Sequence, residues 1–199
     1  MQKLLEYTPI IISLFSLLIA GIALYMGQYR KSSIRVVLGP DIHIYHPSDG
    51  GTAFYLPMIF TNKSPTRGFV EEIFIQEKTP DGEYFTMKWL EVVQMTFRDW
   101  KYELHDRAKP FTIDGYDTLS KVYWFLWPAS TGDFNVKKGK YSITAMISSE
   151  KGRTPKIKET QSFLLDSNSE TFLQKRREDR DPTTLIHYFT DDSFTPIHR

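Results

Sequence analysis

No charged residue stands between Glu6 and Arg30, and the stretch from Ile10 to Met26, "IIISLFSLLIAGIALYM", is apolar apart from two serines and a glycine. About 20 such residues cross a hydrocarbon core of ~30 Å. The apolar positions run all the way round a helix, which suits lipid contact on every side because a helix satisfies its own backbone. Tyr7, Tyr25 and Tyr29 sit near the ends of the run, where amphipathic rings favour the headgroup level, and Arg30 and Lys31 close it. A cleavable signal peptide would have a shorter apolar region, about 7–15 residues, followed by small residues. Leu24, Tyr25 and Met26 occupy that place, so the reading is a retained, single-pass membrane anchor.

The flanking charge sets the side. Arg30, Lys31 and Arg35 follow the span, whereas Lys3 precedes it with Glu6 opposing. Lysine and arginine on a short flank prefer the cytoplasm, which favours a cytoplasmic soluble part. The opposite side, where anchored β-sandwiches often work, is close behind. The chain has no cysteine, which excludes disulfides without deciding the compartment.

Past the anchor, the rest of the 199 residues is long enough for one domain with a core. Three segments are expected: residues 1–31 as short N-tail and membrane helix, 32–166 as a β-sandwich, and 167–199 as a polar, partly helical tail. The body reads as β-branched or aromatic runs separated by turn chemistry, including "SIRVVL", "IHIYH", "AFYLPMIFT", "FVEEIFIQE", "TLSKVYWFLW" and "GKYSITAMISS". Breaks at Gly39-Pro40-Asp41, Asn62-Lys63-Ser64-Pro65 and Thr79-Pro80-Asp81-Gly82 are strong turn signals. In "WLEVVQMTFRDWKYEL" both periods fit. The expectation there is a strand to about Val93 and an irregular or helical crossover after it.

Gly139-Lys140-Tyr141 resembles the G-x-Y opening of a late strand in immunoglobulin-like and fibronectin-like sandwiches, and "FTN" at 60–62 closes a long strand. On these residues the chain resembles single-span, membrane-anchored immunoglobulin-like proteins, a group largely of unassigned function. The resemblance implies an antiparallel β-sandwich in which Tyr141 hydrogen-bonds back across a corner. The cysteine pair of antibody domains is missing.

Chemistry is sparse. His43 and His46, three apart on a strand, point to opposite faces. Glu71 and Glu72 likewise diverge, and Asp191 and Asp192 lie in the tail. There is no G-x-S-x-G, no H-E-x-x-H and no cysteine. "GDFNVKKGK" at 132–140 departs from a phosphate loop in its spacing and lacks the hydroxyl residue after the lysine. No enzyme activity, catalytic residue, metal or cofactor is expected. The net charge of +1 gives no global field for nucleic acid. A local basic stretch, Lys137, Lys138, Lys140, Lys151, Arg153, Lys156 and Lys158, would gather at a hairpin and, on the cytoplasmic side, attract anionic lipid headgroups.

"KVYWFLWP", residues 121–128, is apolar on both strand faces. A core uses one. The face of Tyr123, Phe125 and Trp127 is expected to point outward, a patch of about 500 Å² at ~150–250 Å² per aromatic, large enough to need a cover. The tail offers one: a helix capped by Ser169, then a second capped by Asp181 with Pro182 first, carrying Leu185 and Phe189. The functional expectation is a non-catalytic interaction or accessory subunit of a membrane complex, touching lipid and other subunits through Tyr123, Phe125, Trp127, Leu185 and Phe189. The alternative is a membrane-tethered ligand-binding module with Trp100, Trp124 and Trp127 around a pocket.

Overall fold

The computed structural model describes residues 2–29, 31–48, 50–96, 101–132, 134–149 and 154–189. It opens with helix α1, Gln2–Leu24, which continues as a π-helical turn over Tyr25–Tyr29. Tyr7–Gly27 is long and apolar enough to cross a membrane, and none of it is covered by the rest of the protein. Its two serines spend their hydroxyls inside the helix, Ser13 on the Pro9 carbonyl at 2.8 Å and Ser16 on that of Ile12 at 2.9 Å.

The body is β-rich: β1 Ile34–Leu38, β2 Asp41–Tyr45, β3 Thr52–Asn62, β4 Gly68–Val70, β5 Glu72–Lys78, β6 Tyr84–Thr96, β7 Lys101–Arg107, β8 Phe111–Ile113, β9 Thr118–Trp127, β10 Gly139–Ser148, β11 Lys156–Leu165 and, after helix α2 Ser167–Glu178, β12 Leu185–Tyr188. Ten strands make one antiparallel sheet in the order β11-β10-β5-β6-β9-β3-β2-β12, with β1 also on β3 and β7 also on β6. β4 and β8 pair separately.

A sandwich of two distinct sheets was expected; a continuous, nearly barrel-shaped sheet is found. The reason lies in β6, which pairs with β5 through Tyr84–Lys88 and with β9 from Trp89 onward, shifting register between Trp89 and Glu91. Such an irregularity bends a strand and lets it pass from one wall to the other. The two edges then approach, and the Lys158 ammonium on β11 donates to the Ile34 carbonyl on β1 at 2.9 Å.

β3 alternates cleanly: Phe54, Leu56, Met58 and Phe60 are fully buried, while Tyr55, Pro57 and Ile59 are half-buried outside. Pro57 lies opposite the break between β1 and β2, where its carbonyl accepts from the Gly39 N–H at 2.8 Å. A Cβ on Gly39 would stand 2.7 Å from the proline ring, so this close approach requires glycine.

The crossover expected after Val93 is instead a hairpin. β6 runs on to Thr96 and β7 returns beside it, pairing Val93 with Leu104 and Gln94 with Glu103. The valines and the alternating apolar residues satisfy a strand as well as a helix, and the sheet edge decides. Phe97 and Trp100 lie outside the described residues.

The Tyr141 expectation is met in its geometry. Its hydroxyl donates to the Lys137 carbonyl and accepts from the Lys137 N–H, both at 2.8 Å. The ring is buried and stacks on Phe163 at 5.2 Å. Tyr141→Phe should therefore lower unfolding free energy by about 1–3 kcal/mol, read from denaturant titration, because it leaves a backbone pair unsatisfied.

The tail docks on the body. Asp166, rather than Ser169, caps α2, its carboxylate accepting from the Ser169 N–H at 2.8 Å. Leu173 is completely buried and Arg177 donates to Asn135 at 2.6 Å, which closes the end of the sheet away from α1. The second helix expected from Asp181-Pro182 is absent. Asp181 accepts from the N–H and hydroxyl of Thr183 at 2.9 and 2.7 Å, and the chain enters β12 against β2.

Candidate functional site

The residues expected to meet a partner are mostly occupied within the chain. Tyr123 and Phe125 have no exposed surface. Register explains it: Phe125 stands opposite Phe54 and Tyr123 opposite Leu56, and directly paired residues share a face. Because that face of β3 is the core, the outward assignment of Tyr123 and Phe125 is corrected. Trp127 is half-buried, with its indole N–H on the Gly132 carbonyl at 2.9 Å and its ring edge-on to Phe85. Leu185 and Phe189 are half-buried against the core, Phe189 beside Phe163.

At the anchor, Tyr7 on α1 and Tyr25 at the start of the π-helical turn are exposed, and Lys31 is exposed just beyond it. The Tyr29 side chain and Arg30 lie outside the described residues. The basic stretch does not gather. Gly139 at the start of β10 pairs with Leu165, whereas Ile147 at its far end pairs with Lys156. Lys137, held to Asp81 at 2.6 Å, is thus a full strand length from Lys156 and Lys158. Lys151 and Arg153 lie outside the described residues.

The outer face of the sheet carries a polar aromatic group that sequence reasoning missed. Asp41 contacts His43 Nε2 at 2.7 Å, and the Tyr102 hydroxyl contacts Nδ1 at 2.6 Å. With Asp41 accepting from Nε2–H, Nδ1 accepts from the Tyr102 hydroxyl. Tyr55 stacks between Tyr102 at 3.9 Å and Tyr45 at 5.0 Å, and its hydroxyl donates to that of Tyr45 at 3.1 Å.

A carboxylate–imidazole–hydroxyl line is the arrangement that activates a nucleophile in hydrolases. Here burial works against activation. It raises the pKa of Tyr45, Tyr55 and Tyr102 above the ordinary phenol value, with the Asp41 charge adding to the rise at Tyr102. The phenols stay protonated, and what the group does physically is pin the β6–β7 hairpin over the sheet. His43 and His46 do diverge: His46 Nδ1 bonds the Gly51 carbonyl at 2.9 Å, and burial lowers its pKa. Among the described residues, no three His, Asp or Glu side chains are grouped to hold a metal ion.

The tryptophan pocket of the alternative reading does not assemble. Trp124 is on the outer face with Tyr55 and Trp127 is on the other side of β9. Trp100 lies outside the described residues.

No protein-family model and no curated protein matches the sequence. Among solved structures, the chain is similar to a family 123 glycoside hydrolase from Clostridium perfringens, at 9% identity and a TM-score of 0.34, over 68% of this chain and 27% of that one. It is similar at the same level to a beta-D-glucoside glucohydrolase from Trichoderma reesei, at 10% identity and a TM-score of 0.32, over 69% of this chain and 18% of that one. The chain spans about a quarter or less of either enzyme, and likeness this slight assigns it neither fold family nor activity.

Proposed function

We propose that this chain is a single-pass membrane protein whose β body serves as a non-catalytic interaction or accessory subunit of a membrane complex. The observation that carries the reading is α1. A helix apolar all round, with no part of Tyr7–Gly27 covered by its own body, has to be covered by lipid or by another helix. A shallow groove along Leu14, Leu17, Leu18, Gly21, Ile22 and Tyr25 offers a helix partner a close approach at Gly21, where nothing stands within 4 Å. Ser13, Leu17 and Gly21 line the same side.

With Tyr123, Phe125, Leu185 and Phe189 engaged inside the protein, the helix becomes the principal contact with other subunits. The Tyr141 corner supports kinship of the body with immunoglobulin-like domains. Lys31 and Arg35 beside the span support a cytoplasmic body.

The test is purification of the full chain from its native membrane in mild detergent. The expected result is a stoichiometric partner protein, lost on Gly21→Leu, with an intact mass that still includes residues 1–27. A mature N-terminus beyond residue 30, or a clean monomer, overturns the proposal.

A further inference from the structure

The end of the body nearest α1 holds a cleft of about 120 Å³ whose wall includes Ser32, Phe69, Ser149, Thr154, Lys156 and Lys158. By volume it takes a phosphate group together with a water or two, at about 30 Å³ per water. Its position follows from the chain. The helical turn ends at Tyr29, and three further residues, at most about 11 Å of extended backbone, reach Ser32 in the wall. The headgroup layer adds roughly 5–8 Å to each side of the hydrocarbon core, so the cleft opens within reach of lipid phosphates.

The two cations in the wall are brought there by an irregularity. Along the β10–β11 pair, Ala145 faces Glu159 and Met146 faces Ile157, which leaves Lys158 as the extra, bulged residue. A bulge re-aims its side chain, and Lys158 turns half-buried toward the Ile34 carbonyl, its ammonium donating at 2.9 Å. Burial first, and then the neighbouring Lys156 charge, lower its pKa. These are two like charges held together, and among the described residues the wall holds no acidic side chain.

Two of the three described carboxylates at adjoining positions are committed elsewhere. Glu72 is held by Lys88 at 2.6 Å, and Glu159 accepts from Gln161 at 3.0 Å. Glu71 is half-buried, its N–H on the Ser148 carbonyl at 2.9 Å. Ser149 and Thr154 add polar walls, while Phe69 and Ile157 beside the lysines are exposed apolar side chains, 39% and 70% accessible. Cation, hydroxyl and exposed apolar groups together match an anionic headgroup and the upper part of its chains.

We propose that the cleft between Lys156, Lys158 and Ser32 binds the phosphate of an anionic membrane lipid and seats the body on the bilayer surface. This deepens the membrane reading above and rests on it.

The full chain in neutral detergent is titrated with dihexanoyl phosphatidic acid, dihexanoyl phosphatidylcholine and inorganic phosphate, with bound ligand counted by native mass spectrometry. Phosphatidic acid is expected to bind at least tenfold tighter than either other ligand. Lys156→Gln/Lys158→Gln should weaken it tenfold or more, the two arginine replacements should retain it, and Lys137→Gln/Lys140→Gln at the far end should not change it. Lys156→Gln alone, at an exposed position, serves if the double variant fails to fold. Equal binding of the two lipids, unchanged affinity in the glutamine variants, or equally tight inorganic phosphate each overturns the proposal, the last by making it a soluble-anion site. Lipid binding in detergent needs no anchor, so the N-terminal mass tells failure of the membrane reading from failure of the cleft.

Discussion

Phe125→Ala should destabilise the protein by about 3–5 kcal/mol, the range for emptying an aromatic site in a core that cannot collapse around it. Phe125 has no exposed surface and is flanked across its strand by Phe54 on β3 and Trp89 on β6, so that its ring sits in the middle of the core face. Tyr123 two residues earlier should behave differently. Its ring is as buried, but its hydroxyl has no hydrogen-bond partner among the described residues, and burial raises its pKa. Tyr123→Phe removes that stranded group and should leave stability unchanged or raise it by about 1 kcal/mol. Trp127→Ala, at a half-buried ring, should cost less than Phe125→Ala. Denaturant titration of the full chain in detergent, followed by tryptophan fluorescence, orders the three. A Phe125→Ala protein as stable as wild type would return that residue to the surface and undo the register.

That comparison marks where sequence reasoning stops. The charge-free run 7–29 gives α1 directly, because length and all-round apolarity are local properties. Most strand runs are equally local, and so is the Tyr141 corner, whose two partners lie four residues apart. Inside and outside of β9 are not. "VYWFLW" is apolar on both faces, and only its register with β3, some seventy residues away, selects Tyr123 and Phe125 for the core. The same limit applies to β12. Asp181 and Pro182 carry good helix-start chemistry, but the open edge of β2 offers four backbone residues a ladder, and pairing overrides the local signal. In the outer group, Asp41 and His43 are two apart on one strand and thus legible as neighbours. Tyr102, 59 residues from His43, arrives only with the hairpin that sequence periodicity had read as a crossover.

Glu77 carries the other large effect. It sits on the inward face of β5 beside Ile73 and Ile75, paired across to Ile143 and Phe85, with 1% of its surface exposed and no hydrogen-bond partner for Oε2 among the described residues. Burial alone pushes its carboxyl well above the usual value of 4.5. Nearby Tyr141, pushed up to about 12 chiefly by its own burial and further by the Glu77 charge, offers no cation to offset it. The folded protein therefore holds a proton that the unfolded chain releases once pH passes the ordinary carboxyl value. Stability must then fall as pH rises from about 4.5 toward the native pKa, at about 1.4 kcal/mol per pH unit from this group. Glu77→Gln keeps the shape and removes the titration. Its advantage over wild type should be small at pH 4 and grow as pH rises above the ordinary carboxyl value, levelling off once the native pKa is passed, and Glu77→Leu should show the same trend because a buried acid is replaced by an apolar side chain. Unfolding free energies at a series of pH values provide the measurement. Parallel curves for wild type and Glu77→Gln would mean that the carboxyl is solvated in the folded protein, and that the sheet opens at β5 where its packing now closes it.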